Sequence, residues 1–147
     1  MFTFSPRDKV FDFRYFPPLI EMAREEGADI QALLSGTDIS EAAMVEENYK
    51  VCVLQLEALT VNIVEHCHPG STLDYGTRLN LSAFGIVGYA ALSSPTARDA
   101  LHIANQYIPI VLPLLDIGLE EKGGLTFIIL DMPYHIKEQA AKALLDA

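Results

Sequence analysis

The sequence predicts an α+β fold that is mostly helical, with a central buried helix and a C-terminal antiparallel β-hairpin. Residues 45–67 repeat apolar side chains at helical spacing and are apolar around most of their circumference. Residues 115–129 change to alternation around a Gly-Gly turn. A lone hairpin is marginal in water and needs further strands or a helix beside it. With only two clear strands in view, the chain is expected to be part of a larger domain.

Residues 1–16 carry Phe2, Phe4, Phe11, Phe13 and Phe16 among charges and read as an irregular or extended N-terminal arm, ahead of one domain over 17–147. Pro17-Pro18 opens a short helix through Glu26, because proline is tolerated in a first helical turn, and Gly27 stops it. Ile30 to Leu34 makes a second short helical turn, ended by Ser35-Gly36. The strongest element is Val45 to Cys67. Tyr49, Cys52, Val53, Leu56, Leu59, Thr60 and Ile63 hold one face, and Val51, Leu54, Ala58, Val61 and Val64 widen the apolar surface. Asn48, Gln55, Asn62 and His66 form a polar stripe within about 40° on the helical wheel. His68-Pro69-Gly70 terminates this helix, and Ser71 to Asn80 reads as a loop.

Leu81 to Leu92 is apolar with small residues. Ser94 as N-cap and Pro95 as first residue then start another helix. Ala97, Ala100, Leu101, Ala104, Tyr107 and Ile108 line one of its faces; Arg98, His102, Asn105 and Gln106 line the other, and Pro109 and Pro113 break it. Leu115 to Glu120 and Leu125 to Ile129 form the hairpin around Glu121-Lys122-Gly123-Gly124, whose glycines supply positive φ. Ile136 to Leu145 is helical again.

Composition removes several function classes. Half of the 147 residues are hydrophobic and 20% are charged, the profile of a globular chain rather than a disordered one. Against 10 Lys+Arg stand 20 Asp+Glu, a net charge of −10, and residues 1–74 hold 13 of the acids with 5 of the bases. Such a surface repels phosphate backbones, so this chain alone is not expected to bind nucleic acid. The N-terminus lacks the apolar core of a signal peptide. The apolar run Ile108 to Leu115 contains Pro109 and Pro113 and is too short to span a bilayer, so no membrane association is expected. Cys52 and Cys67 fall on one predicted helix, roughly 22 Å apart at 1.5 Å per residue, far beyond disulfide reach. Free thiols point to a reducing, cytoplasmic setting.

Few residues invite chemistry. His66-Cys67-His68 are metal-capable, but adjacent helical residues point about 100° apart and no second ligand group follows at zinc-finger spacing. A helix terminus with imidazoles near its carbonyls explains them better, and no metal or other cofactor is expected. Glu57 sits among Val53, Leu54, Ala58, Thr60, Val61 and Val64. It is either a ligand-recognising carboxylate with a raised pKa or a solvated group near Glu46 and Lys50. His102 lies on a polar face, which favours a solvated side chain over an axial haem ligand. Phe84, Tyr89, Tyr107 and Phe127 read as core or as pocket aromatics. No G-x-S-x-G, Walker loop or G-x-G-x-x-G is present, and Ser93 and Ser94 read as loop and cap, so nothing argues for an enzyme.

One string is more specific. Phe84-Gly85-Ile86-Val87-Gly88-Tyr89-Ala90-Ala91-Leu92-Ser93-Ser94-Pro95-Thr96, followed by Ala100-Leu101 and Tyr107, closely resembles a signature of AraC-type bacterial transcription regulators. It lies in their N-terminal effector-binding domain, of the subgroup described as arabinose-binding-like. The segment Gly27-Ala28-Asp29-Ile30-Gln31-Ala32-Leu33-Leu34 is similar to a second pattern there, and the resemblance covers roughly residues 16–132. Gly85 and Gly88 are expected to permit close helix packing.

The resemblance implies a regulatory sensor domain over 17–147 that binds a small-molecule effector, forms a homodimer, or does both. Contact with DNA would come only through a C-terminal helix-turn-helix domain that this chain lacks; family members continue into paired helix-turn-helix motifs, so the chain is expected to be a fragment or a truncated product. Members of the subgroup respond to varied molecules, so arabinose is not carried over. The expected ligand-binding residues are Glu57, Phe84, Tyr89 and Tyr107, between the central helix and the 81–108 helices. The alternatives are a ligand-free structural dimerisation module, or a small metal- or haem-binding protein using His66, Cys67, His68 or His102.

Overall fold

The computed structural model describes residues 4–111, 115–132, 137–138 and 140–142. The chain divides into two compact units, one built from residues 4–78 with the described part of 137–142, the other from residues 79–132. The α+β class holds, with a central buried helix and a C-terminal hairpin.

The first unit is organised by its aromatics. Strand β1 (Phe11–Asp12) pairs antiparallel with β2 (Lys50–Val51), Phe11 opposite Val51 and Asp12 opposite Lys50. A 3-10 turn over Phe13–Tyr15 follows, capped by the Asp12 carboxylate, which accepts the Arg14 N–H at 3.0 Å. Phe11, Phe13 and Phe16 are all buried. Phe13 stacks on Phe16 with centroids 5.8 Å apart and meets the Tyr49 ring edge-on at 5.7 Å. Residues 4–16 thus contribute three side chains to the core.

Helix α1 (Pro17–Glu25) begins at the proline pair and buries Leu19, Ile20, Met22 and Ala23. Helix α2 (Ile30–Leu34) is capped by Asp29, whose carboxylate accepts the Gln31 N–H at 3.3 Å. A 3-10 turn spans Glu41–Met44. The central helix, α3 (Val53–His66), starts later than the apolar spacing predicts. The reason is local: Asn48 adopts a left-handed φ of 63°, and Lys50–Val51 are extended and paired to β1. Val53, Leu56, Leu59, Thr60 and Ile63 are buried, whereas Leu54 and Val64 remain exposed, so burial is strongest on one side.

Residues expected to form a loop instead form helix α4 (Ser71–Arg78). It is short and carries an interior Gly76, which hides it from a propensity reading. Contacts with the end of α1 hold it. The Ser71 hydroxyl donates to the Glu26 carboxylate at 2.6 Å, and Arg78 pairs with Glu25 at 2.9 Å. Buried Tyr75 donates its hydroxyl to the Tyr15 carbonyl.

In the second unit a 3-10 turn (Leu81–Phe84) leads into α5 (Gly85–Leu92) and then α6 (Ala97–Val111). Gly85 has φ +60° with open space where a Cβ would stand, so its role is backbone conformation rather than the close packing expected. Gly88 does serve close packing: a Cβ there would lie 1.6 Å from the Leu81 carbonyl oxygen. Helix α6 starts two residues after Pro95. Thr96, not Ser94, is its cap, accepting the Asp99 N–H at 3.1 Å and donating to the Asp99 carboxylate at 2.7 Å. Ser94 donates back to the Ala90 carbonyl at 3.0 Å and closes α5. The helix runs through Pro109 to Val111 rather than breaking at the proline.

Strands β3 (Asp116–Lys122) and β4 (Leu125–Asp131) form the predicted hairpin, with Asp116 opposite Asp131 and Lys122 opposite Leu125. Gly123 and Gly124 at φ +63° and +79° fit a two-residue turn whose twist matches the strands. Helix α6 packs against β3, where Arg98 pairs with Glu121. The helix expected over Ile136–Leu145 falls largely outside the described residues, although Glu138 and residues 140–142 are helical and Ala140 is buried.

Candidate functional site

The four expected ligand contacts divide between the two units. Glu57 stands half-buried on α3, and its carboxylate accepts the Lys137 backbone N–H at 2.9 Å. That bond ties the central helix to the segment entering the last helix. Phe84 ends the 3-10 turn, Tyr89 lies on α5 and Tyr107 on α6. Phe84 is half-buried, while Tyr89 and Tyr107 are exposed. The aromatic residues thus belong to the second unit and Glu57 to the first.

The polar stripe on α3 has a clear structural use. Gln55 accepts the Cys52 N–H at 3.1 Å and donates to the Thr37 and Asp38 carbonyls at 3.1 and 3.3 Å. Asn62 donates to the Leu33 and Ser35 carbonyls, both at 2.8 Å. Those carbonyls belong to the end of α2 and the turn after it, where a short helix leaves its last acceptors unmatched. Two amides therefore anchor α2 to α3. Asn48, the fourth residue counted in the stripe, lies before the helix.

His66, Cys67 and His68 end α3 without converging. The His66 Nδ1 lies 2.8 Å from the Asn62 carbonyl oxygen, and the His68 backbone N–H donates to Glu26 at 3.0 Å. Burial pushes the Cys67 thiol above its ordinary pKa, away from thiolate reactivity. Among the described residues, no group of three or more His, Cys, Asp and Glu side chains is placed to hold a metal ion. His102 is exposed on α6.

Ionisable groups in the first unit act mainly as ties. Hydrogen bonds from the Ser71 hydroxyl, then from the His68 N–H, hold the Glu26 carboxyl below the usual carboxylate range. The Arg14 side chain, 2.5 Å from Asp12, does the same there, with Lys50 at 3.6 Å adding to it. Burial pushes the Tyr75 phenol up to about 12.

The clefts that open on this unit include the following three. One of about 590 Å³ is bordered by the Asp12–Arg14 ion pair, Pro17-Pro18 and residues 44–48. A second, about 480 Å³, contains Gln31 and Glu41, which bond to each other at 2.6 Å. The third, about 420 Å³, is lined by Arg7, Lys9, Gly36, Thr37, Asp38, Cys52, Leu54 and Gln55. Sequence reasoning did not find this last group, because its members come from three separated segments and no motif joins them.

Comparison with known proteins follows the geometry. Residues 27–147 match the family described as the arabinose-binding domain of AraC transcription regulators, N-terminal. An ornithine utilization regulator of Pseudomonas aeruginosa is 32% identical over 98 residues, covering 66% of this chain and 29% of that protein. An uncharacterized HTH-type transcriptional regulator of Mycobacterium tuberculosis is 30% identical over 117 residues, covering 77% of this chain and 33% of its own. A counterpart in Mycobacterium bovis gives the same figures, 30% over 117 residues. The chain spans about a third or less of the curated relatives it matches, 29% to 33%. No helix among the described residues is long and apolar enough to cross a membrane.

Proposed function

The chain belongs to the family of arabinose-binding domains of AraC transcription regulators, and from that premise we propose that it senses a small-molecule effector and passes the result to a DNA-binding domain. The observation that carries the reading is the match over residues 27–147, which contains the whole Phe84–Thr96 signature. Effector binding would favour one arrangement of the domain or of a homodimer over another, and only that difference in affinity does regulatory work. In this reading exposed Tyr89 and Tyr107, with half-buried Phe84, are effector contacts of the second unit, and half-buried Glu57 is one of the first. A regulator of this kind works in the cytoplasm and needs no catalytic residue.

One relative is named for ornithine utilization, which makes amino acids and amines the first effectors to test. The experiment is native mass spectrometry of the purified chain against such a panel, paired with thermal unfolding. The expected result is a ligand-bound or dimeric mass that collapses to the chain mass on denaturation. A ligand at a hundred times its Kd adds about 2.7 kcal/mol of stability, which moves the midpoint by several degrees. A bare monomer with an unmoved midpoint across the panel contradicts the sensing role. Alanine at Tyr89 and Tyr107 that leaves folding and effector response unchanged removes the aromatic placement alone.

A further inference from the structure

We infer that the 420 Å³ cleft of the first unit is a binding site for the zwitterionic head of an α-amino acid, with Arg7 and Lys9 taking the carboxylate and Asp38 the ammonium. This goes beyond the sensing role, which rests on the family match and the aromatic residues of the other unit.

Charge state distinguishes this cleft from its neighbours. In the 590 Å³ cleft Asp12 and Arg14 neutralise each other and the remaining charged lining residues, Glu46 and Glu47, are of one sign, while in the 480 Å³ cleft Glu41 is bonded to Gln31. In the 420 Å³ cleft, Arg7 and Asp38 enter no ion pair among the described residues, nor does Lys9, whose ammonium stands over the Tyr49 ring at 5.7 Å. Two cations and one anion outside any ion pair among the described residues therefore border a single concavity, in a unit whose charge is otherwise strongly negative. A ligand carrying both signs satisfies all three, whereas a simple anion leaves Asp38 facing it.

Two polar lining residues are already engaged. Thr37 is buried, donates to the Leu34 carbonyl at 2.7 Å and accepts the Ile39 N–H at 3.1 Å. Gln55 spends its amide on Cys52, Thr37 and Asp38. These bonds hold Thr37 and Gln55 in place beneath the three charged side chains. Exposed Leu54 offers an apolar surface for the ligand's side chain. The volume lies within the roughly 300–1,000 Å³ typical of small-molecule sites. Arg7 and Lys9 precede the residues that match the family, whereas Asp38 and the rest of the lining lie within them.

The test is a two-dimensional amide NMR titration of the chain with L-leucine, N-acetyl-L-leucine and L-leucinamide. Charged walls that remain open to solvent imply a Kd on the order of 1 mM for L-leucine. Shifts should concentrate at Arg7, Lys9, Gly36 to Asp38 and Cys52 to Gln55. Each of the two derivatives, lacking one charge, should bind about tenfold more weakly. Arg7→Gln and Asp38→Asn should each weaken L-leucine to the same extent with an unchanged folded spectrum. Asn suits position 38 because it tolerates the φ of +54° found there. Three results overturn the site: no shifts at these residues, equal binding of L-leucine and its N-acetyl derivative, or full binding by both variants. Shifts confined to Tyr89 and Tyr107 also overturn it, while leaving the sensing role intact.

Discussion

The two units hold their shape by different means. In the first, Phe13, Leu59 and Ile63 are 1%, 0% and 0% exposed, and side chains far apart in sequence enclose one another. In the second, Ile86, Tyr89 and Ile128 are 85%, 61% and 52% exposed, and every residue of β4 is open. Its geometry comes from local devices: a positive-φ glycine at 85, a glycine at 88 that admits the Leu81 carbonyl, a Thr96 cap and a Gly-Gly turn. Burial of distant residues supplies most folding stability, whereas caps and turns contribute on the order of 1 kcal/mol each. The first unit is therefore specified by its core and the second by its backbone.

Core truncation should separate them most sharply. Leu59→Ala removes a fully buried side chain from the middle of α3 and should cost about 3–4 kcal/mol, whereas Ile86→Ala should stay within about 0.5 kcal/mol. Urea unfolding of both variants checks this; equal losses would erase the contrast. Gly88→Ala should come next. Its new Cβ meets backbone rather than a movable side chain, so the 3-10 turn must separate from α5 at a cost of roughly 3 kcal/mol. Circular dichroism and amide shifts over residues 81–92 would report it.

A smaller effect is expected at the hairpin. Gly124→Ala forces a side chain into φ +79° and should cost about 1–2 kcal/mol, visible as lost cross-strand contacts between Glu120 and Phe127. The smallest effects are pH-dependent and confined to the first unit. Tyr75 is raised to about 12 in the folded chain, so its contribution is present below the unfolded phenol pKa near 10 and disappears as pH rises through 12. Asp12 and Glu26 are lowered, so their contributions are present above the ordinary carboxylate range and are lost as pH falls through their depressed folded values. Unfolding across pH should lose part of the alkaline decline in Tyr75→Phe, the half-buried Tyr15 phenol keeping the rest, and part of the acid decline in D12N/E26Q.

The sequence was most legible where structure is local. Pro17-Pro18, Gly27, the span of α2 and the Gly123-Gly124 hairpin are where residue chemistry places them, because each depends on one or two backbone angles. The start of α3 was misread because Asn48 turns the chain left-handed and β1 holds Lys50–Val51 extended, which no apolar spacing reveals. Helix α4 was missed because its support is tertiary, through Glu26, Glu25 and Tyr15. The same limit applies to function. The Phe84–Thr96 string disclosed the family, yet its glycines prove structural. The charged cleft of Arg7, Lys9 and Asp38 joins residues some thirty positions apart and has no sequence signature.

Hydrogen exchange of the purified chain, resolved by residue, tests the contrast between the units most directly. Amides of Leu56 to Ile63 in α3 should exchange only through global unfolding, while those of Ile117 to Leu130 should exchange faster through local opening, because no residue of either hairpin strand is buried. Protection of β4 equal to that of α3 in the monomeric chain would contradict the division into a core-specified and a backbone-specified unit.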